Sequence, residues 1–333
     1  MKLVVTGSIA TDHLMHFPGK FADQLLSEQL HKVSLSFLVD ELVVRRGGVA
    51  GNIAAGMGKL GQHPVLAGAV GTDFDDYRAS LQADGVDCES VYVSQTAHTA
   101  RFVCTTDEEL NQIGSFYTGA MAEARNIELA PIAERLGGLG ADDIVLVSAN
   151  DPDAMLRHSA ECRERGYAFA ADPSQQLARM DGDVVRQLIH GAAYLLTNDY
   201  ENSLLASKTG LSDAEILDQV GVRITTLGSK GARIEGRFNG AGIETIQVDA
   251  AKEQAKHDPT GVGDGFRAGF FSGLAWGLSL ERAAQVGNLV AAHVLESVGG
   301  PQDYDVKPAA FLERLADCYG TVAADEVATH LPA

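Results

Sequence analysis

The chain has 333 residues, 45% of them hydrophobic and only 6% aromatic, and its 45 acidic against 26 basic residues leave a formal charge of −19. A field of that sign repels nucleic acid and anionic lipid at range, so neither is expected as a partner. No apolar run reaches the ~18 residues of a membrane-spanning helix, while the apolar fraction suffices for a sizeable core in two units or in one α/β domain with an appendage.

The chain opens on Met1-Lys2-Leu3-Val4-Val5-Thr6-Gly7, an apolar run that stops at glycine and reads as a first strand rather than a signal peptide. Further strand-like runs are expected at 65–70, 144–148, 168–171, 193–197 and 224–227, with helices at 50–60, 73–84, 153–165, 183–190 and 198–207. Parallel strands need helical crossovers, and this alternation predicts an α/β fold built on a doubly wound, mostly parallel sheet with helices on both faces. Ligands are then expected beyond the carboxyl ends of its strands. The four cysteines (Cys88, Cys104, Cys162, Cys318) are scattered without a Cys-x-x-Cys pair, as expected of small core thiols in a cytoplasmic protein without a zinc site.

Two segments break the rhythm. In 31–46, Val33, Leu35 and Phe37 alternate with Lys32, Ser34 and Ser36; in 91–117, Val91 and Val93, then Ala100, Phe102 and Cys104, have period two. They predict a small antiparallel sheet lying across the main body as a lid, with a face and edges for substrate or a second subunit to cover. The expected division is a large α/β domain from 1–11, 47–90 and 118–333, and a discontinuous lid from 12–46 and 91–117. Helices are expected at 263–277, 280–297 and 307–316.

The strongest chemical signal is Asp258-Pro259-Thr260-Gly261-Val262-Gly263-Asp264-Gly265, entering an apolar helix. Free amides and a helix dipole at such a start make a seat for anions. A carboxylate in that seat, Asp264, makes sense as the base that deprotonates a hydroxyl while the amides stabilise a transferred phosphoryl group; a helix-capping aspartate in a glycine-rich turn is the plain alternative. Gly47-Gly48-Val49-Ala50-Gly51-Asn52 reads as a hinge with Asn52 aimed into a cleft, or as close helix packing. Gly7-Ser8-Ile9-Ala10-Thr11-Asp12 places a carboxylate after the first strand, where it would hold neighbouring sugar hydroxyls or lie exposed in a loop. Asn198-Asp199-Tyr200-Glu201 has the shape of a capping box, or of a holder for magnesium-bound water. Thr225-Thr226-Leu227-Gly228-Ser229-Lys230-Gly231 lines a nucleotide site or makes a hairpin turn. No P-loop, complete dinucleotide fingerprint, Gly-x-Ser-x-Gly elbow or His-Glu-x-x-His pair is present.

In this order, the motifs at 47–61, 198–201 and 258–264 resemble those of the ribokinase (PfkB-type) family of carbohydrate and nucleoside kinases, over almost the whole chain. The runs at 6–15, 31–37, 172–179 and 197–201 are further similar to adenosine kinases of actinobacteria. The resemblance implies transfer of the ATP γ-phosphate to the ribose 5′-hydroxyl of adenosine, giving AMP and ADP in purine salvage. Asp264 would be the base, and Gly261, Val262 and Gly263 the anion hole. Asp12, Gly48 and Asn52 would hold the ribose; Ser8, Ser36, Phe102, Phe116, Gln175 and Gln176 would surround the base, and Arg179 would reach the γ-phosphate. ATP would lie on Asn198, Thr226, Leu227, Gly228, Ser229, Lys230, Gly231 and Gly263, with Mg²⁺ near Asn198 and Glu201 and a monovalent cation, K⁺, near Asp258. Gly265 departs from the alanine or other small residue of many relatives. A kinase of free ribose or another sugar or nucleoside is the nearest alternative, and a catalytically silent nucleoside-binding regulator a more distant one. A sugar-phosphate substrate is disfavoured, because Arg101 stands almost alone as a cation between Val91 and Tyr117. A lid sheet carrying Phe37, Val39, Phe102 and Phe116 predicts a homodimer.

Overall fold

A computed structural model describes residues 1–24, 34–238 and 242–332. Among these the strands are, in chain order, β1 (Leu3–Thr6), β2 (Ala10–His16), β3 (Glu41–Gly47), β4 (Val65–Ala67), β5 (Ala69–Val70), β6 (Tyr92–Val93), β7 (Ala100–Thr106), β8 (Gln112–Tyr117), β9 (Ile144–Ser148), β10 (Ala168–Asp172), β11 (Tyr194–Asn198), β12 (Val222–Thr226), β13 (Ala232–Gly236) and β14 (Glu244–Val248).

The central sheet runs β14-β13-β12-β11-β10-β9-β1-β4. It is parallel from β12 to β4 and ends in the antiparallel hairpin β12-β13-β14. Strands such as β1 and β9 are buried along their whole length, which is why they read as unbroken apolar runs. Alternate residues feed two separate cores. Val5, Leu146, Ala170, Leu196 and Ile224 point into one, and Val4, Val145, Val147, Phe169 and Leu195 into the other. Helices therefore cover both faces, as the alternation required. Among the described residues no helix is long and apolar enough to cross a membrane.

The lid is a four-stranded sheet, β3-β2-β7-β8, with two antiparallel pairs joined by the parallel pair β2–β7. Three sequence expectations change here. The segment after β1 is a crevice loop only over 7–9, where Ser8 lines the cavity; β2 starts at Ala10, so Asp12 reaches the cleft from a lid strand. The strand expected from residue 31 is Glu41–Gly47 instead; 31–33 lie outside the described residues and 34–39 have no regular structure. The apolar periodicity there belongs to the lid tip, where Phe37 packs against Phe17 and Phe21 with ring centroids 5.0 and 4.9 Å away. Finally, β6 pairs with β5 and not with the lid strands.

The helices Val262–Ala275 and Leu280–Leu295 lie in close contact. A Cβ on Gly265, Gly269 or Gly273 would come within 2.7 Å of Val294, Gly287 or Ala283 respectively. The spacing of four puts these glycines on one helical face, so Gly265 is a packing requirement. Gly269→Val should separate the pair and cost about 1–3 kcal/mol, read as a lower urea midpoint at unchanged slope, with loss of any activity that depends on the first turn of Val262–Ala275.

Candidate active site

The cleft between lid and sheet is a cavity of about 550 Å³. Its floor is the start of the helix Val262–Ala275, entered through Gly261 at φ 73°, a left-handed conformation natural to glycine. A side chain there would also strike Pro301, 2.3 Å from a Cβ on Gly261. Val262 N–H turns back to the carbonyl of Pro259 at 3.3 Å. The amides of Gly261, Gly263 and Asp264 have no hydrogen-bond partner among the described residues. Of the three residues expected to form an anion hole, Val262 has its amide engaged and lies outside the cavity wall, while the free amides on the wall are 261, 263 and 264.

Asp264 has one direct side-chain partner and one charged neighbour. Asn52 Nδ2–H donates to its Oδ2 at 2.8 Å. Arg267, one turn on, donates from Nη1 to the carbonyl of Gly263 at 2.9 Å and clamps Asp172, at the end of β10, with two bonds of 2.5 and 2.6 Å. Burial pushes the Asp264 carboxyl up to about 7, against the pull of Asn52 and Arg267, and the neighbouring charges of Asp172 and Glu201 add to the rise. A carboxylate tuned near neutrality is suited to take a proton from a hydroxyl.

Asn52 is less free than expected of a residue reserved for substrate. Its Oδ1 accepts from Gln302 Nε2 at 2.9 Å, Gln302 also donates to the hydroxyl of buried Tyr77 at 2.5 Å, and Tyr77 donates to the carbonyl of Gly47 at 2.9 Å. A hydrogen-bonded chain therefore runs from Asp264 to the end of β3. Beside it, Gly48 sits at φ 86°, and a Cβ there would lie 2.6 Å from Ser8 O and Ala10 N. Ser8 lines the cavity and also accepts the amide of Val49 on its hydroxyl at 3.1 Å, which starts the helix Val49–Lys59.

The roof is one transverse row of the lid sheet. Arg45, Asp12, Phe102 and Phe116 are successive cross-strand partners on β3, β2, β7 and β8, so their side chains share a face. Asp12, Phe102 and Phe116 line the cavity, with the two rings partly exposed to it. Burial raises the Asp12 carboxyl above its usual value, opposed by Arg45 and reinforced by Asp258.

The remaining wall comes from the carboxyl ends of β10, β11 and β12. Ser174 stands at φ 47° and donates to Gln175 Oε1 at 2.6 Å; Gln175, Gln176 and Arg179 face the cavity, and Arg179 has no acidic partner among the described residues. Asn198 and Glu201 do form the capping box, with reciprocal bonds of 2.7 and 2.8 Å, and both still line the cavity. Burial raises the Glu201 carboxyl. Thr226 lies on the wall, whereas residues 227–231 are the turn of the β12–β13 hairpin, closed by Leu227 N–H to Gly231 O at 2.7 Å. Ser36 is exposed on the lid, away from the cavity, and Asp258 is not on its wall. Sequence reasoning missed Asp172, Arg267, Tyr77 and Gln302. The spacing of four between Gly263 and Arg267 was the available signal for Arg267.

The sequence profile described as pfkB family carbohydrate kinase matches residues 10–305. A nucleoside kinase of Methanocaldococcus jannaschii is 27% identical over 303 residues, covering 90% of this chain and 91% of the relative. The ligand-free structure of a Burkholderia thailandensis nucleoside kinase shares 34% identity over 94% of this chain and 99% of that one, with a TM-score of 0.82. The same Burkholderia enzyme in complex with ADP-inosine shares 34% identity over 96% of each chain, with a TM-score of 0.78.

If Asp264 acts as a base, kcat/KM should rise with pH through about 7 and level off above it, because the protonated carboxyl is inactive. Asp172→Asn removes a charge that raises the Asp264 pKa, so the midpoint of that profile should move to lower pH. A stopped assay from pH 5.5 to 9 reads both.

Proposed function

Because the chain belongs to the pfkB family of carbohydrate kinases, we propose that it is a nucleoside kinase that phosphorylates the ribose 5′-hydroxyl of adenosine at the expense of ATP. The observation that carries the nucleoside reading is the roof row. Asp12 offers a carboxylate to a pair of ribose hydroxyls, and Phe102 and Phe116 offer flat apolar faces one and two strand spacings further, within about 10 Å. That span suits a sugar joined to a base better than a free sugar. Gln175 and Gln176 carry amides that donate and accept, fitting the edge of a purine.

Catalysis follows from the floor. Asp264 takes the proton of the 5′-hydroxyl as its oxygen forms a bond to the γ-phosphorus; the bond to the β–γ bridging oxygen breaks, and ADP leaves with that electron pair. The free amides of Gly261, Gly263 and Asp264 meet the charge on the transferred group, and Arg179 meets the phosphate from the opposite wall. Glu201 and Asn198 present oxygen donors suited to a hydrated Mg²⁺, which would neutralise phosphate charge. Thr226 and Asn198 border the nucleotide side.

A phosphorylated sugar fits poorly, since Arg101 pairs with Asp73 and belongs to the face opposite the roof row. Inosine is a competing nucleoside, because the Burkholderia relative was captured with it. The homodimer reading needs a different surface from the one first expected: Phe37 is committed to the lid tip and Phe102 and Phe116 to the cleft, while Leu42, Val44, Ile113 and Tyr117 are exposed on the opposite face. A dimer in light scattering that Val44→Asp dissociates would support that face.

Coupled ADP release with ATP and Mg²⁺ should rank adenosine above inosine and guanosine, and all three far above ribose and fructose 6-phosphate. Asp264→Asn should lower turnover by roughly 10²–10⁴-fold with nucleoside binding retained. Phe102→Ala should raise KM for adenosine while leaving residual turnover of ribose unchanged. Preference for ribose would return both rings to lid packing, and absence of turnover would favour a silent nucleoside binder.

A further inference from the structure

The family resemblance assigns a monovalent cation to Asp258, and the residues present do not fit one. Arg45 occupies the place. Its Nη1 donates to Asp258 Oδ2 at 2.7 Å and its Nη2 to the backbone carbonyl of Val298 at 3.0 Å. The other carboxylate oxygen of Asp258 accepts from Thr260 N–H at 2.8 Å. The carboxylate and the carbonyl that Arg45 touches therefore already face a fixed positive charge that would repel a second cation at close range.

The seat is also built around the arginine. Its stem runs across Gly300, where a Cβ would lie 2.9 Å from Arg45 Cδ. Its Nε is buried without a hydrogen-bond partner, so the side chain is held by its two terminal nitrogens and by packing. Burial pulls the Asp258 carboxyl upward, but Thr260 and Arg45 outweigh it and hold it below the usual carboxylate range. Asp258 opens the turn that presents Gly261 and Gly263, and Arg45 stands on β3 directly opposite Asp12.

We propose that Arg45 is a built-in cation: its guanidinium fills, from the lid, the oxygen seat beside Asp258, so that this chain works without a monovalent metal ion. Arg45 is a positioning residue, since it acts on the anion-hole turn through Asp258. The proposal has a second consequence. A lid-borne group completes the turn, so the position of the lid and the geometry of the anion hole are linked by one side chain.

The activity arm of the test rests on the kinase reading above; a thermal arm does not. Wild type is assayed with ATP, Mg²⁺ and its best nucleoside in potassium chloride and in tetramethylammonium chloride of equal ionic strength. The rates should agree. Arg45→Ala should lose at least about tenfold in the potassium-free buffer, as expected for a lost charge-assisted hydrogen bond, and K⁺ should restore most of the loss by entering the vacated seat. Melting temperatures should follow the same pattern: no potassium-specific shift in wild type, and a rise with K⁺ in Arg45→Ala. Arg45→Gln, of similar length and neutral, repeats both measurements if the alanine variant does not fold. Potassium dependence of the wild-type rate or melting temperature would overturn the proposal, as would a variant whose loss K⁺ does not relieve. If no nucleoside is turned over, the kinase reading fails and the melting data alone decide the role of Arg45.

Discussion

The buried carboxylate of Asp264 is the constraint around which the site is arranged. An acid in that position is easiest to bury protonated, and it gains useful basicity only if its neighbours lower the cost of ionisation without neutralising it outright. Asn52 supplies one hydrogen bond, and Arg267 supplies charge at one remove because its fork is spent on Asp172. The result is a carboxyl balanced near neutrality. The same Arg267 fixes the carbonyl of Gly263 and thereby the turn whose amides face the cavity. The Asp264 carboxyl and the free amides beside it are thus set by one buried ion pair that joins the end of β10 to the helix Val262–Ala275.

The lid meets this centre at three places of different stiffness. Gly48 is a backbone joint, the Tyr77–Gln302–Asn52 chain is a run of neutral hydrogen bonds, and Arg45 is a charged contact. Apolar contact between lid and body is slight by comparison: Ala10, Ala100 and Met121 form a small cluster of their own, apart from the cores on either side of the sheet. A sheet attached in this way can change its angle at the cost of a few polar contacts, without opening either main core.

Much of the body was legible in the sequence, because strands buried on both faces must be apolar throughout and crossovers must separate them. The hairpin β13–β14 was not: its strands alternate residue by residue, but each carries only two apolar side chains and lacks the unbroken apolar run that marks the buried parallel strands. In the described part of the alternation at 31–37, residues 34–37, Phe37 is apolar on account of an aromatic cluster at the lid tip, not of a sheet face. In the site, Asp264 and Asn52 stood out because their neighbours are glycines, and Phe102 because it lies in an alternating strand; Phe116 came from the family resemblance alone. Asp172 and Arg267 did not, as a charged pair separated by nearly a hundred positions gives no sign of being buried together. Arg45 and Arg46 are adjacent and alike in sequence, and strand periodicity alone sends one toward Asp258 and the other to the opposite face.

The roof row has a consequence for how such a protein changes over evolutionary time. Its four members come from four different strands, one from each, and are neighbours through side chains rather than through the chain. Exchanging one of the three that line the cavity, Asp12, Phe102 or Phe116, leaves the backbone ladder intact and does not touch the floor where Asp264 stands, whereas Arg45 is tied to that floor through Asp258. On the reading proposed above, substrate range can therefore drift by single replacements at those three positions while the reaction chemistry is inherited unchanged, so chains that share this floor need not share a metabolite.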